Sequence, residues 1–143
     1  MGDGWILIFP LNSIDKDFMN FISSIFLLYQ KLKRRYLIPV LGNIPSNMGL
    51  TMGIDKGILT RIFMNKQVEY FGRPINVACR LQGATGQNNQ NPSNRVLLSR
   101  PAYTFLRDRI GIDFTPFNPV SARRSLRNIQ GGTDFRCMKL VII

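Results

Sequence analysis

The chain has 143 residues, 45% of them hydrophobic, with 19 Lys or Arg against 8 Asp or Glu and a formal net charge of +11. This composition suffices for one domain with a buried core and excludes a disordered chain. Because the chain contains no histidine, Ser-His-Asp catalysis, Cys-His catalysis and histidine metal sites are excluded. Two cysteines, Cys79 and Cys137, are too few for a disulfide framework or a thiolate zinc site, and they suit a reducing, cytoplasmic location.

The positive charge is concentrated in the second part of the chain. Residues 58–143 carry thirteen basic and four acidic side chains, against six and four in residues 1–57. Such a balance indicates an anionic partner, or else a solvated face that keeps the protein soluble. The longest apolar stretch, residues 18–29, is interrupted by Asn and Ser and is shorter than the roughly 18–20 residues that span a bilayer, so no membrane insertion is expected. The acidic opening residues predict no secretory signal.

The first predicted element is a buried strand over residues 5–9, a continuous apolar run closed by Pro10. Apolar residues at helical spacing then predict a helix over residues 13–36. Its first turn is acidic and its last turn is basic, as the helix dipole favours. A Gly, Pro, Ser and Asn-rich loop follows over residues 42–49. Three short strands are predicted next, over residues 50–54, 58–63 and 67–71.

The remaining elements alternate between helix and strand. Pro74 suits the first turn of a helix that extends to about residue 82, and residues 83–94 form a polar loop. Further elements are predicted as a strand over 96–99, a helix over 101–108, a strand over 112–116 and a final strand over 135–143. Arg123 and its neighbours form a basic segment between the last two strands. The alternation predicts an α/β or α+β fold around one sheet.

Two polar residues on the predicted helix after Pro74 are candidate ligand-binding groups. Asn76 and Arg80 are four residues apart, so they project from one face, while Val77 and Leu81 are left for the packed side. An amide can bond a hydroxyl or ring oxygen, and a guanidinium can fork onto phosphate oxygens. Many surface helices carry such a pair, so the spacing alone leaves a solvated face open as the alternative.

Residues 72–81, Gly-Arg-Pro-Ile-Asn-Val-Ala-Cys-Arg-Leu, resemble the signature of class III nucleotidyl cyclases, the catalytic domain of adenylate and guanylate cyclases. Other segments match in order. Residues 53–57 resemble the family's Gly-Ile-x-x-Gly hairpin, and Gly2-Asp3-Gly4 before an apolar run resembles its metal-binding hairpin. Residues 96–106 and 128–140 resemble its closing elements. The resemblance implies an α+β, ferredoxin-like core with an antiparallel-rich central sheet. It also implies a single partial catalytic domain over residues 1–143, with the N-terminal strand and helices missing.

The resemblance implies a role for four residues in particular. Asp3 would be one of two carboxylates that bind two Mg²⁺ or Mn²⁺ ions, Glu69 would help to read the base, Asn76 would orient the ribose and Arg80 would stabilise phosphate charge. The reaction would convert a nucleoside triphosphate to a 3′,5′-cyclic nucleotide and pyrophosphate. The second metal-binding Asp and the family's base-reading Lys have no counterpart in this sequence. Glu69 stands where adenylate cyclases commonly have Asp, so the base is open among adenine, guanine and a pyrimidine.

Each of these assignments has a simpler alternative. Asp3 could be a turn residue that bonds its own backbone, and Glu69 an exposed strand residue paired with a basic group. The family's active sites form at dimer interfaces, so a homodimer or heterodimer is expected. A catalytically incomplete binding or dimerisation module is the alternative function. A nucleic-acid-binding fold is disfavoured because no interleaved aromatic platform is present, and no nucleic-acid partner is expected.

Overall fold

Helices pack on both faces of a four-stranded sheet in the computed structural model, which describes residues 4–45, 48–89, 91, 94–111 and 113–142. The helices are α1 (Phe18–Leu32), α2 (Ile38–Leu41), α3 (Arg73–Gly83) and α4 (Arg100–Ile110). The strands are β1 (Thr51–Ile54), β2 (Thr60–Met64), β3 (Gln67–Phe71), β4 (Arg95–Ser99), β5 (Phe117–Arg124) and β6 (Phe135–Ile142). The protein is therefore a mixed α/β structure, compatible with the predicted α+β class.

The sheet is mixed, with strand order β1-β4-β6-β5. β1 and β4 are parallel, while β6 is antiparallel to both of its neighbours, β4 and β5. A parallel pair needs a long crossover connection, and here that connection contains β2, β3 and α3. β2 and β3 form a separate antiparallel hairpin, so the strands make two sheets rather than the single sheet that the sequence predicts.

β4 is the centre of the core because it is buried on both faces. Val96 and Leu98 pack with Leu140 against α1 and α4, whereas Leu97 packs with Cys137 against α3. Successive side chains of a strand point to opposite faces, so one continuous apolar run supplies both layers. Of the helices in the described residues, α3 is the one that packs on this second face of the sheet.

α1 covers the other face and continues beyond its predicted end. Ile22 and Phe26 are buried in the core, and the chain stays helical through a π-helical turn at Lys33–Leu37 into α2. The Lys33 ammonium donates a hydrogen bond of 3.0 Å to the carbonyl of Met48. Among the described residues, none of the helices has both the length and the apolar character needed to cross a membrane.

Two predicted strands are wrong. Residues 5–9 are irregular and exposed, with Trp5 at 86% of its free surface. No strand among the described residues pairs with them. Residues 113–116 form a turn in which the Asp113 carboxylate accepts a hydrogen bond of 2.9 Å from the Thr115 amide, so β5 begins only at Phe117. The other strands, together with α3 and α4, lie within two residues of their predicted bounds.

Candidate functional site

α3 has one packed face and one open face. Val77 and Leu81 are fully buried against the sheet, whereas Asn76 and Arg80 are exposed. Within the described part of the chain, neither of these two side chains has a hydrogen-bond or ion-pair partner. The predicted pairing of an amide and a guanidinium on one open helical face is therefore present, and both groups are available to a ligand.

The glycines of residues 53–57 fix the position of α3. A Cβ at Gly53 would overlap the backbone carbonyl of Ala78, and one at Gly57 would lie 2.6 Å from the Pro74 Cγ. Only glycine permits backbones to approach this closely. The Gly-Ile-x-x-Gly segment thus sets how near β1 lies to the helix that carries Asn76 and Arg80.

Asn76 opens into a cavity of about 550 Å³ beside the N-terminal end of α3. Two further amide side chains, Asn128 and Gln130, line it from the connection between β5 and β6. The rest of the lining is Tyr70, Phe71, Gly72, Arg73, Ile75 and Ile129. The lining so described holds one guanidinium and no carboxylate, which suits a neutral or anionic, hydroxyl-rich ligand.

The last residue of β5 and the connection that follows it are bonded to the two ends of α3. At the helix start, the Arg73 guanidinium donates to the carbonyl of Gln130 at 3.3 Å. Beyond the helix end, the buried Arg124 donates through Nε to the carbonyl of Ala84 at 3.0 Å. These two hydrogen bonds fix the position of the amide side chains of the connection relative to the open face of α3.

Arg80 lies outside the cavity lining, one helical turn beyond Asn76. Side chains four residues apart on a helix have their Cβ atoms about 5–6 Å from each other. A ligand that occupies the cavity through Asn76 can therefore extend an anionic group along the helix to Arg80.

Glu69 is half-buried on β3, where it pairs across the hairpin with Ile62. It does not line the cavity, but it shares its strand face with Phe71, two residues on, which does. No basic side chain within the described residues forms an ion pair with it. The alternative in which Glu69 pairs with a basic group is therefore not seen, and its role toward a base stays a prediction.

The metal ligand predicted from the resemblance, Asp3, lies outside the described residues. In the part of the chain that the structure describes, no three or more Cys, Asp or Glu side chains come together as a metal-binding group. Asp55 accepts a hydrogen bond from the Ser99 hydroxyl, which ties the carboxyl ends of β1 and β4 together. The described residues therefore do not supply a ligand set for the two metal ions that the resemblance implies.

Positive charge gathers on the face of the sheet that α3 covers. Lys139 pairs across the sheet with Leu97, which packs under α3, so both project from that face. Burial lowers the pKa of Lys139, and the nearby Arg124 and Arg95 lower it further. The contributions of Arg124 and Arg95 to this shift reflect positive potential around Lys139, which would attract an anion to this side of the molecule.

Comparison with known proteins gives no relative. No model of a known protein family, no curated protein and no solved structure matches the chain. The functional assignment therefore depends on the residues and geometry of this chain.

Sequence reasoning missed the wall of the cavity opposite α3. Asn128 and Gln130 lie in a connection that the sequence marks by its charge, by its Gly131-Gly132 turn and by the resemblance of residues 128–140 to the family's closing elements. Asn128 has a positive φ of 58°, a conformation that asparagine tolerates better than most residues. None of these signals assigns a ligand-binding role to either residue.

Proposed function

We propose that the chain is a nucleotidyl cyclase domain of the class III type, which converts a nucleoside triphosphate to a 3′,5′-cyclic nucleotide and pyrophosphate in cyclic-nucleotide signalling. The observation that carries the proposal is the open face of α3, where Asn76 lines the cavity and Arg80, one turn beyond it, has no partner among the described residues. The order of the matching motifs along the chain adds support.

In this proposal the nucleoside occupies the cavity. The Asn76 amide can both donate to and accept from a ribose hydroxyl, and Asn128 and Gln130 offer two more amides on the opposite wall. Tyr70 and Phe71 supply apolar surface for the base. Because these three amides are already held in place by the fold, they can orient the sugar without the entropic cost of first ordering a loop.

The triphosphate then extends along α3 toward Arg80. The ribose 3′-oxygen attacks the α-phosphorus, the bond between that phosphorus and the bridging oxygen of the β-phosphate breaks, and pyrophosphate leaves with the electron pair. The hydroxyl proton passes to solvent. A guanidinium aimed at the transferring phosphoryl group stabilises the charge that develops on its oxygens.

The second candidate function is a binding or dimerisation module without turnover. It is favoured by the β2–β3 hairpin, which pairs with no other strand of the described residues and exposes large apolar side chains, including Phe63 at 74% and Phe71 at 50% of their free surface. Exposed apolar patches of this kind mark association surfaces. In this alternative the hairpin binds a second chain, a like or an unlike one, and the cavity holds a nucleotide without cyclising it.

The experiment that tests the proposal has two readouts. The purified chain is incubated with ATP, GTP, CTP or UTP in the presence of Mn²⁺, and cyclic product is measured by mass spectrometry. Binding is measured in parallel with fluorescent nucleotides. The cyclase proposal expects product from at least one triphosphate, with turnover lowered roughly 10³-fold or more by Arg80→Ala. Arg109→Ala is the matched control, since Arg109 is an exposed basic residue on α4.

Each result has a distinct meaning. Product formation that survives Arg80→Ala unchanged would remove Arg80 from the mechanism. Nucleotide binding that depends on Asn76 and Arg80, without any product, would establish the binding module instead. Absence of both binding and product, in a folded sample, would overturn both functions.

A further inference from the structure

A second cavity, of about 490 Å³, lies between α1 and the segment that precedes it, far along the chain from the α3 site. Residues at helical spacing form its floor, and Trp5 covers one side. Its apolar lining includes Trp5, Ile25, Leu28, Tyr29, Leu32 and Tyr36, which together define what we term the α1 groove. Much of this surface faces solvent, with Trp5 at 86% and Leu28 at 68% exposure. Contact with another apolar phase removes such a surface from water and thereby lowers the free energy.

The rim of the α1 groove is strongly basic. Lys31 and Arg35 line its edge, and Lys33 and Arg34 lie between them in the sequence. No acidic residue occurs between residues 18 and 54 to offset these four charges. The Arg35 guanidinium lies 5.6 Å from the centre of the Tyr36 ring, so an aromatic ring and a cation meet at the rim.

We propose that the α1 groove is a docking surface for a membrane that contains anionic lipids. α1 would lie in the plane of the interface, with the leucines of the groove directed toward the acyl chains and the basic rim toward the headgroup phosphates. Trp5, Tyr29 and Tyr36 occupy the boundary between these layers, where aromatic side chains with a polar tip are most stable. The surface is separate from the α3 site, so this inference stands independently of the proposed function.

Charge complementarity favours a membrane over a second copy of the chain. An isologous contact through the α1 groove would bring Lys31 and Arg35 of each copy together, and like charges in contact oppose association. An anionic lipid surface supplies the opposite charge along the whole rim. Beside its three aromatic rings the groove exposes the aliphatic side chains of Leu28 and Leu32, which bury favourably among acyl chains and do not stack on nucleic-acid bases.

None of the helices in the described residues is long and apolar enough to cross a membrane. This finding agrees with adsorption of the protein to the membrane surface. α1 has 15 residues. This length suffices, because a helix that lies in the plane of the membrane does not have to be as long as the bilayer is thick. The π-helical turn at Lys33–Leu37 follows directly and brings Arg35 and Tyr36 to the same surface.

The chain carries its own probe for this contact, because Trp5 is its only tryptophan and lines the groove. The protein is titrated with vesicles of phosphatidylcholine alone and of phosphatidylcholine with about one third phosphatidylserine. A blue shift of Trp5 emission with the anionic vesicles, quenching by brominated acyl chains and co-flotation are expected. Binding to the neutral vesicles should be much weaker, and added salt should weaken binding to the anionic ones.

Three double variants, one of them a charge control on α4, separate the charged and apolar contributions. Lys31→Gln with Arg35→Gln is expected to weaken binding to anionic vesicles about 30-fold, since each basic residue near such a surface contributes about fivefold. Arg107→Gln with Arg109→Gln removes the same charge from exposed positions on α4 and should leave binding within about twofold. Leu28→Ser with Leu32→Ser should abolish the quenching by brominated lipid, and its circular dichroism spectrum reports whether it is folded.

Three outcomes would overturn the proposal. Equal losses in the α1 and α4 charge variants would show nonspecific attraction of a basic protein. A concentration-dependent oligomer that the leucine variant dissociates, without vesicle binding, would make the groove an interface between copies. Failure to bind anionic vesicles, together with nucleic-acid binding that the α1 charge variant removes, would assign the basic rim to a nucleic acid.

Discussion

The α-carbon of Gly53 lies so close to the carbonyl oxygen of Ala78 that no side chain fits between them. A Cβ atom placed on Gly53 would also lie 2.5 Å from the backbone nitrogen of Gln82. The contact therefore spans a full turn of α3. The strand and the helix therefore meet backbone to backbone. This contact, rather than any side chain, sets the distance between β1 and the helix that carries the candidate site.

Gly53→Ala is accordingly expected to destabilise the protein. The added methyl group must push α3 away from β1, and overpacking of this kind costs about 1–3 kcal/mol. Urea denaturation followed by circular dichroism measures the change. Gly83→Ala is the control, because Gly83 ends α3 with nothing within 4 Å of its Cβ position, and alanine there should be neutral or stabilising. Equal effects of both substitutions would contradict the close-contact explanation.

Arg124 and Arg123 are neighbours with opposite environments, which makes them a matched pair. Arg124 is 4% exposed and donates to the carbonyls of Ala84 and Arg123 at 3.0 and 2.7 Å. Arg123 forms an ion pair of 3.0 Å with Asp134 in which both side chains are more than half exposed. Arg124→Met should cost about 3 kcal/mol of unfolding free energy, because it leaves buried carbonyls without donors.

Arg123→Met should cost less than about 1 kcal/mol, because exposed ion pairs contribute little. Chemical denaturation of both variants gives the comparison.

A further readout distinguishes a local role of Arg124 from a general loss of stability. Amide hydrogen exchange at the C-terminal turn of α3 should accelerate in Arg124→Met more than exchange in β4 does. Uniform acceleration would show that Arg124 acts on global stability alone.

The two cysteines should differ sharply in reactivity. Cys79 is exposed on α3, whereas Cys137 is buried, and that burial raises its thiol pKa although Arg124 and Arg100 oppose the shift. A thiol reagent should therefore modify Cys79 in the native protein and Cys137 only after unfolding, because the thiolate is the reactive form. Modification kinetics in Cys79→Ser and Cys137→Ser variants test this assignment.

Cys79 also offers a direct report on the α3 site, since it lies three residues after Asn76 and directly before Arg80. A nucleoside triphosphate bound as proposed should slow its modification. The protection should be lost in Arg80→Ala, which leaves Cys79 itself unchanged. Inorganic sulfate at the same ionic strength controls for a simple salt effect on the reagent.

The turn before β5 contains a carboxylate with a measurable pH response. Hydrogen bonds from the Thr115 hydroxyl and from its backbone amide lower the pKa of Asp113 below its usual value of 3.8. A lowered folded-state pKa means that the stabilisation is present above the unfolded pKa and is lost as the pH falls through the folded pKa. Thr115→Ala should raise the pKa of Asp113, as a carboxyl-carbon NMR titration would show. Thr104→Ala, on the exposed side of α4, should not change it.

Most of the sheet could be predicted because its strands are locally encoded. Val96, Leu97 and Leu98 form a short apolar run that predicts a strand, and the structure shows this strand with the three side chains in two separate cores. The open face of α3 was equally predictable, because Val77 and Leu81 identify the packed side and leave Asn76 outside.

The errors come from properties that no local pattern contains. The apolar residues 5–9 suit a strand, but a strand needs a neighbour to satisfy its backbone, and the described residues provide none there. β5 has few apolar residues and a proline, so its pairing with β6 outweighs a weak local preference. The amide wall of the cavity was missed because Asn128 and Asn76 meet only through the folded chain.

The sheet has two unlike edges, and the difference limits how copies of the chain can assemble. β5 forms one edge and contains Pro119, which has no N–H to offer an incoming strand, whereas β1 forms the other edge and has no proline. Strand addition is therefore directed to β1. If two molecules join through β1, both outward edges are β5, so edge-to-edge growth ends at a pair and does not continue into a fibre.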